Sequence, residues 1–343
     1  MSLSFSDFLL RLSIHPALAV AAGLIFAVLL VNGWTDAPNA ITCAVVTNAL
    51  TFPKAVLLAA VCNFLGVVCV TALSPAVAET VYSMANFSGG PEQTLCALCA
   101  GLVSVVVFAV AAWRFGIPTS ESHALIAGIS GAAVALEGNL SCINGDSWRK
   151  VLWGLILSLV LGLLLGRLSA RLLRPLPLSP HLCRRLQIPG AGASAFLHGA
   201  QDGQKFLGIF LLACALSQGH SHRHTFLTPT WLMVGCALIM ALGTACGGRR
   251  IIDTIGREMV HPSPKEGVAC ELAGSVCLTL ATVLGLPVST THTKTAALLG
   301  VGLEGSGGYN MGAVRSILTA WLLTFPCCFA LGWLFARIFL SVL

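Results

Sequence analysis

Two short stretches of the same chemical type stand far apart in the chain. Pro118-Thr119-Ser120-Glu121-Ser122-His123 runs into small and apolar residues through Gly131, and Pro287-Val288-Ser289-Thr290-Thr291-His292 does so through Gly302. Each predicts a helix start. Proline suits the first helical position, and serine or threonine hydroxyls cap the orphan backbone N–H groups. In an apolar setting such a start aims N–H donors, two or three hydroxyls and the positive end of the helix dipole at one point. That is an anion site made without a full positive charge. Two copies face to face would grip a tetrahedral oxyanion from both sides. His123 and His292 either carry protons or donate to the anion, or they fix the two half-helices against each other.

A second chemistry rests on two aspartates. Asp36 lies between Leu30-Val31 and the apolar run 41–50, and Asp202 lies between Ala195-Phe196 and the run 206–212. A carboxylate in such a setting is costly, which points to an ion or proton pathway; the plainer alternative is a helix cap. The flanking glycines and Pro38 predict a helix break beside each aspartate. Freed carbonyls plus one carboxylate per break suit a hard monovalent cation or a transferable proton. Lys205 stands where Asn39 stands in the other stretch, and it either neutralises Asp202 or attracts the anion. Glu271 and Asn63 also lie within long apolar runs, as coupling groups or as hydrogen-bonded struts. Arg249-Arg250 reads as a pair of snorkelling interface anchors rather than as an anion trap.

The elements that hold these residues follow from composition. Of 343 residues, 56% are hydrophobic and only 9% charged, with a mean hydropathy of +0.88. Soluble domains carry roughly a quarter charged residues, so a soluble fold is excluded. The expected class is an all-α polytopic membrane protein. Apolar segments near spanning length cover 16–31, 55–73, 95–113, 151–173, 193–216, 227–245, 268–286 and 313–343, against the roughly twenty residues a crossing needs. The pieces 41–50, 125–136 and 295–303 are too short and read as half-helices or re-entrant hairpins. The net charge of +6 sits mainly in connections, which fits a positive-inside bias and not nucleic-acid binding. Most of the 14 cysteines lie in apolar runs as small hydrophobes, and Cys96-Ala97-Leu98-Cys99 lacks the second pair a metal site needs. The histidine-rich stretch 218–224 reads as a solvated loop, and residues 1–13 do not form a cleavable signal.

The chain also repeats itself. The segments beginning at Gly33 and Gly199 are 166 residues apart, and those at Pro118 and Pro287 are 169 apart. Glu79-Thr80-Val81 and Asp253-Thr254-Ile255 form a third pair, 174 apart. Three pairs in one order indicate a duplicated half: 1–172 as first repeat, 173–192 as an arginine-bearing cytoplasmic linker, and 193–343 as second repeat. Membrane chains built this way are often transporters whose halves rock about a midplane site.

These segments resemble the inorganic phosphate transporter (PiT) family of cation-coupled phosphate symporters. Residues 32–40 and 198–208 are similar to its Gly-x-Asn-Asp-x-x-Asn-Ala-like motif, 118–128 and 287–302 to its Pro-Val-Ser-Thr-Ser/Thr-His motif, and 243–256 to its second-half linker. The resemblance implies two inverted repeats with broken helices and re-entrant hairpins. It implies phosphate contacts from Ser120, Ser122, Ser289, Thr290 and Thr291, and cation contacts from Asp36, Asn39, Asp202 and Gln204. Glu121, His123, Lys205, His292 and Glu271 are accessory. No cofactor is implied beyond a coupling ion, Na+ or H+. The partners are phosphate, that cation and the bilayer, with a homodimer as one candidate assembly. The short central linker resembles bacterial members, hence an inner-membrane setting. Thr35 and Gln201 stand where the family has Asn, Pro38 is unusual, and Glu121 replaces a hydroxyl. A carboxylate at 121 would accept a proton from protonated phosphate and repel sulfate. The alternatives are a sulfate permease of the same fold, a passive anion channel, and an intramembrane enzyme using an aspartyl dyad or Ser122-His123. The last is poor, because helix neighbours point to different faces.

Overall fold

The computed structural model describes residues 4–219, 228–246, 248–305 and 307–343. Most of the histidine-rich stretch, residues 220–224, lies outside them. The described residues form helices and connections, with no strand among them. An amphipathic α1 (Phe5–Ile14), closed by a capping box at Ser4, precedes α2 (Pro16–Thr35). After a 3-10 turn at Ala37–Ile41 come α3 (Thr42–Val46), α4 (Phe52–Leu73) and the short α5 (Ala76–Tyr82). The first half of the chain ends with α6 (Pro91–Arg114), α7 (Glu121–Glu137) and α8 (Gly145–Leu173). The second holds α9 (Pro180–Leu216), α10 (Thr230–Cys246), α11 (Arg249–Asp253) running into a π-helical turn (Thr254–Met259), α12 (Pro264–Val283), α13 (Thr290–Glu304) and α14 (Met311–Leu340). Residues 180–192 of the stretch read as linker therefore belong to a helix.

Among the described residues, six helical stretches are long and apolar enough to cross a membrane: Pro16–Val46, α4, α6, α8, α12 and α14. The 37-residue α9 is longer than any of them, but it carries the polar residues of the site. α7 and α13, at 17 and 15 residues, are short of a crossing and buried nearly end to end, as expected for half-helices.

Each half-helix is reached through the same turn. Gly116 and Gly285, 169 residues apart, adopt φ of 68° and 62°, a conformation that costs a side chain but not glycine. They stop α6 and α12 and turn the chain toward the site. The helices begin later than their prolines suggest: Ser120 and Ser289 are the N-caps, accepting from the backbone N–H of His123 and His292 at 3.3 and 3.1 Å. Pro118 and Pro287 thus lie two residues ahead of the cap, because the serine, not the ring, sets the first turn.

The halves interlock. α7 packs on α6 and α14, while α13 packs on α12 and α8, so each half-helix is clamped by the last helix of the other half of the chain. Close backbone approaches recur in the same register. A Cβ on Gly131 would lie 2.1 Å from the Phe329 carbonyl oxygen, and one on Gly300 would lie 2.1 Å from that of Leu163. Interior packing leaves no room for such a methyl. The third sequence pair follows suit: α5 meets α9 at Gly208, and the π-turn meets α3 at Thr42, each six residues past its aspartate.

Candidate anion and cation site

The two aspartates sit on different backbones. α2 stops at Thr35, with Asp36 as its C-cap. Pro38 offers no N–H to the helix, and its ring would meet the carbonyl four residues back, so the chain must leave α-helical geometry there. Gly248 fills the break against Trp34 and Pro38. The matching break expected at Asp202 does not occur: α9 runs unbroken from Pro180 to Leu216. Gly199 and Gly203 serve close packing instead, against Asn63 and Val67, and no proline stands at 204.

Between these backbones lies a buried polar cluster. Asn32 on α2 donates to both aspartates, at 3.4 Å to Asp36 and 3.2 Å to Asp202. Asp202 also accepts from Ser122 on the first tip, at 3.4 Å, and from Thr290 on the second, at 3.3 Å. Lys205 Nζ has three acceptors: Asp202 Oδ1 at 2.6 Å, Ser122 Oγ at 2.6 Å and the Val288 carbonyl at 2.5 Å. All three of its hydrogens are engaged, so the ammonium neutralises Asp202 and ties both tips to α9. In the first half Asn39 donates to Thr291 at 2.8 Å. Thr35 is hydrogen-bonded to Glu121, whose other oxygen is buried without a partner. Every residue in this cluster is buried.

The tips meet head to head. The rings of His123 and His292 lie 4.7 Å apart between centroids. His123 stacks on Phe325 at 4.6 Å, and His292 lies tilted against Trp321 at 3.9 Å. Their nitrogens have no hydrogen-bond partner, so the geometry favours the packing role for these rings. Trp321 holds the first tip by donating to the Pro118 carbonyl at 2.9 Å. Ser120 and Ser289 use an oxygen lone pair on their own helices and keep their hydroxyl hydrogens.

Two expected members lie elsewhere. Gln204 bonds the Val77 N–H and the Ser74 carbonyl, closing the start of α5. Glu271 pairs with Lys294 at 2.7 Å and accepts from Ser194 at 2.5 Å, in a separate buried network joining α9, α12 and α13. Asn63 is a strut. Thr244 gives its hydroxyl hydrogen to the Met240 carbonyl, so its oxygen accepts from Asn63 Nδ2 at 3.0 Å. Asn63 Oδ1 then faces His198 Nδ1 at 3.0 Å, and that nitrogen must carry the hydrogen. His198 Nε2 faces Asp202 Oδ2 at 3.2 Å without the line of a hydrogen bond. Arg249 and Arg250 are exposed and lie over Phe52 and Trp113, as interface anchors do.

Asn32, His198 and Lys294 were not singled out by motif reading, and Thr35 was noted only as a departure from the family's Asn. A signal for two of them existed, since Asn32 and His198 each precede their aspartate by four residues, one helical turn.

Known proteins agree with this frame. Residues 32–332 match the model of the phosphate transporter family. A probable low-affinity inorganic phosphate transporter of Bacillus subtilis (strain 168) is 34% identical over 309 residues, 88% of this chain and 91% of that protein. A protein of the same description from Rhizobium meliloti (strain 1021) is 34% identical over 314 residues, 90% of this chain and 91% of its own. A solved structure described as the sodium-dependent phosphate transporter superposes with a TM-score of 0.83 at 20% identity, covering 96% of this chain and all of that one, which bears on the fold. The resemblance carried by the duplicated segments is thus matched along nearly the whole length, and the chain belongs to the phosphate transporter family.

Proposed function

We propose that this protein imports inorganic phosphate across a bacterial plasma membrane by symport with a cation, Na+ or H+, through alternating access. The observation that supports it most is Asp202, which receives one hydroxyl from each half-helix tip while standing beside Asp36. Anion donors and cation acceptors therefore share one sealed cluster, where each charge offsets the other's desolvation. Phosphate would take the hydroxyls and tip N–H groups of Ser120, Ser122, Ser289, Thr290 and Thr291; the cation would take Asp36 and Asn39, beside an Asp202 already paired with Lys205. The head-to-head tips favour inverted repeats. Because the repeats clamp each other's half-helices, the units that move are mixed: α6, α7 and α14 against α8, α12 and α13, about α2 and α9. The arginines at 171, 174, 184 and 185 support a cytoplasmic side for the central connection.

Glu121 separates phosphate from sulfate. Its unpartnered buried oxygen can only accept while ionised. A protonated phosphate offers it a P–OH hydrogen, and sulfate does not. Purified protein in liposomes should accumulate phosphate against its gradient when a Na+ or a pH gradient is imposed, and equimolar sulfate should barely compete. Equilibration that ignores both gradients would indicate a passive channel, and strong sulfate inhibition would indicate the sulfate reading.

A further inference from the structure

The duplicated frame lets the two halves of the site be overlaid atom type by atom type. Around Lys205 Nζ stand a carboxylate oxygen of Asp202, a hydroxyl oxygen of Ser122 and the carbonyl oxygen of Val288, all within 2.6 Å. Carboxylate, hydroxyl and main-chain carbonyl are the oxygen donors that hold hard cations. Shifted by the repeat spacing, Asp202 becomes Asp36, Ser122 becomes Thr291, Val288 becomes Thr119 and Lys205 becomes Asn39. Asn39 reaches Thr291 at 2.8 Å just as Lys205 reaches Ser122 at 2.6 Å. The hydroxyl contact is kept across the halves and the ammonium is not.

We infer that the structure contains two equivalent cation cages and that Lys205 permanently fills one of them, leaving a single exchangeable cation position at Asp36 and Thr291. The unfilled half has the acceptors such an ion needs. Glu121, Asn32 and Asn39 each carry a buried oxygen with no hydrogen-bond partner, and among the described residues no basic nitrogen pairs with Asp36, whereas Lys205 pairs with Asp202. In the filled half the ammonium does what a bound ion would do: it neutralises the aspartate and draws both tips onto α9. The lysine is thus a tethered coupling ion, and this pair of cages takes up one cation per phosphate rather than two. The inference rests on the symport reading above.

Its test is a count. Purified protein at saturating inorganic phosphate is equilibrated with radiolabelled Na+, and bound Na+ and bound phosphate are measured on the same samples. The wild type should hold no more than one Na+ per chain. Lys205→Asn, which copies the first half into the second, should hold one more than the wild type; Asn39→Lys, which copies the second half into the first, should hold one fewer or none. Two Na+ in the wild type overturns the inference whatever the variants do. So does a Lys205→Asn protein that binds phosphate with no added Na+. A wild type that binds no phosphate at all contradicts the transport reading instead, so the two failures are distinct.

Discussion

Asp36 and Asp202 occupy equivalent places in a duplicated frame, and the chain meets the cost of each in a different way. At Asp36 the helix is interrupted: Pro38 ends α2 and Asn32 supplies one amide hydrogen. At Asp202 the helix is intact and a lysine one turn on supplies a whole charge. The difference teaches that a repeat can conserve the placement of a carboxylate while changing what compensates it. On the inference above, the break leaves a position open to an exchangeable ion and the lysine closes its counterpart.

Asp36→Asn and Asp202→Asn should both abolish cation-driven phosphate uptake in liposomes. Only Asp202→Asn strands a buried ammonium, so it alone should lose about 3–5 kcal/mol of stability, read as a lower thermal midpoint in detergent. Equal destabilisation by the two would erase the distinction. A step smaller is the Glu271–Lys294 pair, which belongs to the second half alone, since the repeat spacing puts Leu125 at the place of Lys294. Lys294→Met should cost about 3 kcal/mol, and adding Glu271→Leu should recover most of it. A double variant no more stable than the single one would show that the pair is not an isolated strut.

Ser122→Ala and Thr290→Val remove one Asp202 contact from each tip. Each should weaken phosphate binding about tenfold, roughly 1.4 kcal/mol, measured by titration. A large effect from one tip and none from the other would contradict joint gripping. Smallest are the caps: Ser120→Ala and Ser289→Ala should each lower stability by about 1 kcal/mol, and by matching amounts, because the two serines make the same bond.

Much of this was legible in the sequence because duplication prints each functional turn twice. The tips, the aspartates and the half-helices announce themselves as polar residues in apolar runs, where polarity needs a reason. The break at Asp36 was legible from Pro38. The continuity at Asp202 was not, because glycines permit either a break or a close helix contact, and the choice depends on Asn63 and Val67 from another helix. Gln204 misled for a related reason: one residue before Lys205, it points to a different face of α9 and meets α5. The Lys294–Glu271 pair required knowing that α12 and α13 lie side by side.

If anion and cation stabilise each other within one cluster, their binding must be linked. Calorimetric titration of the purified protein with phosphate, with Na+ and pH varied one at a time, should show phosphate affinity rising at least about tenfold with one of the two cations in the wild type. The rise should vanish in Asp36→Asn. Phosphate affinity indifferent to both cations in the wild type would contradict the account.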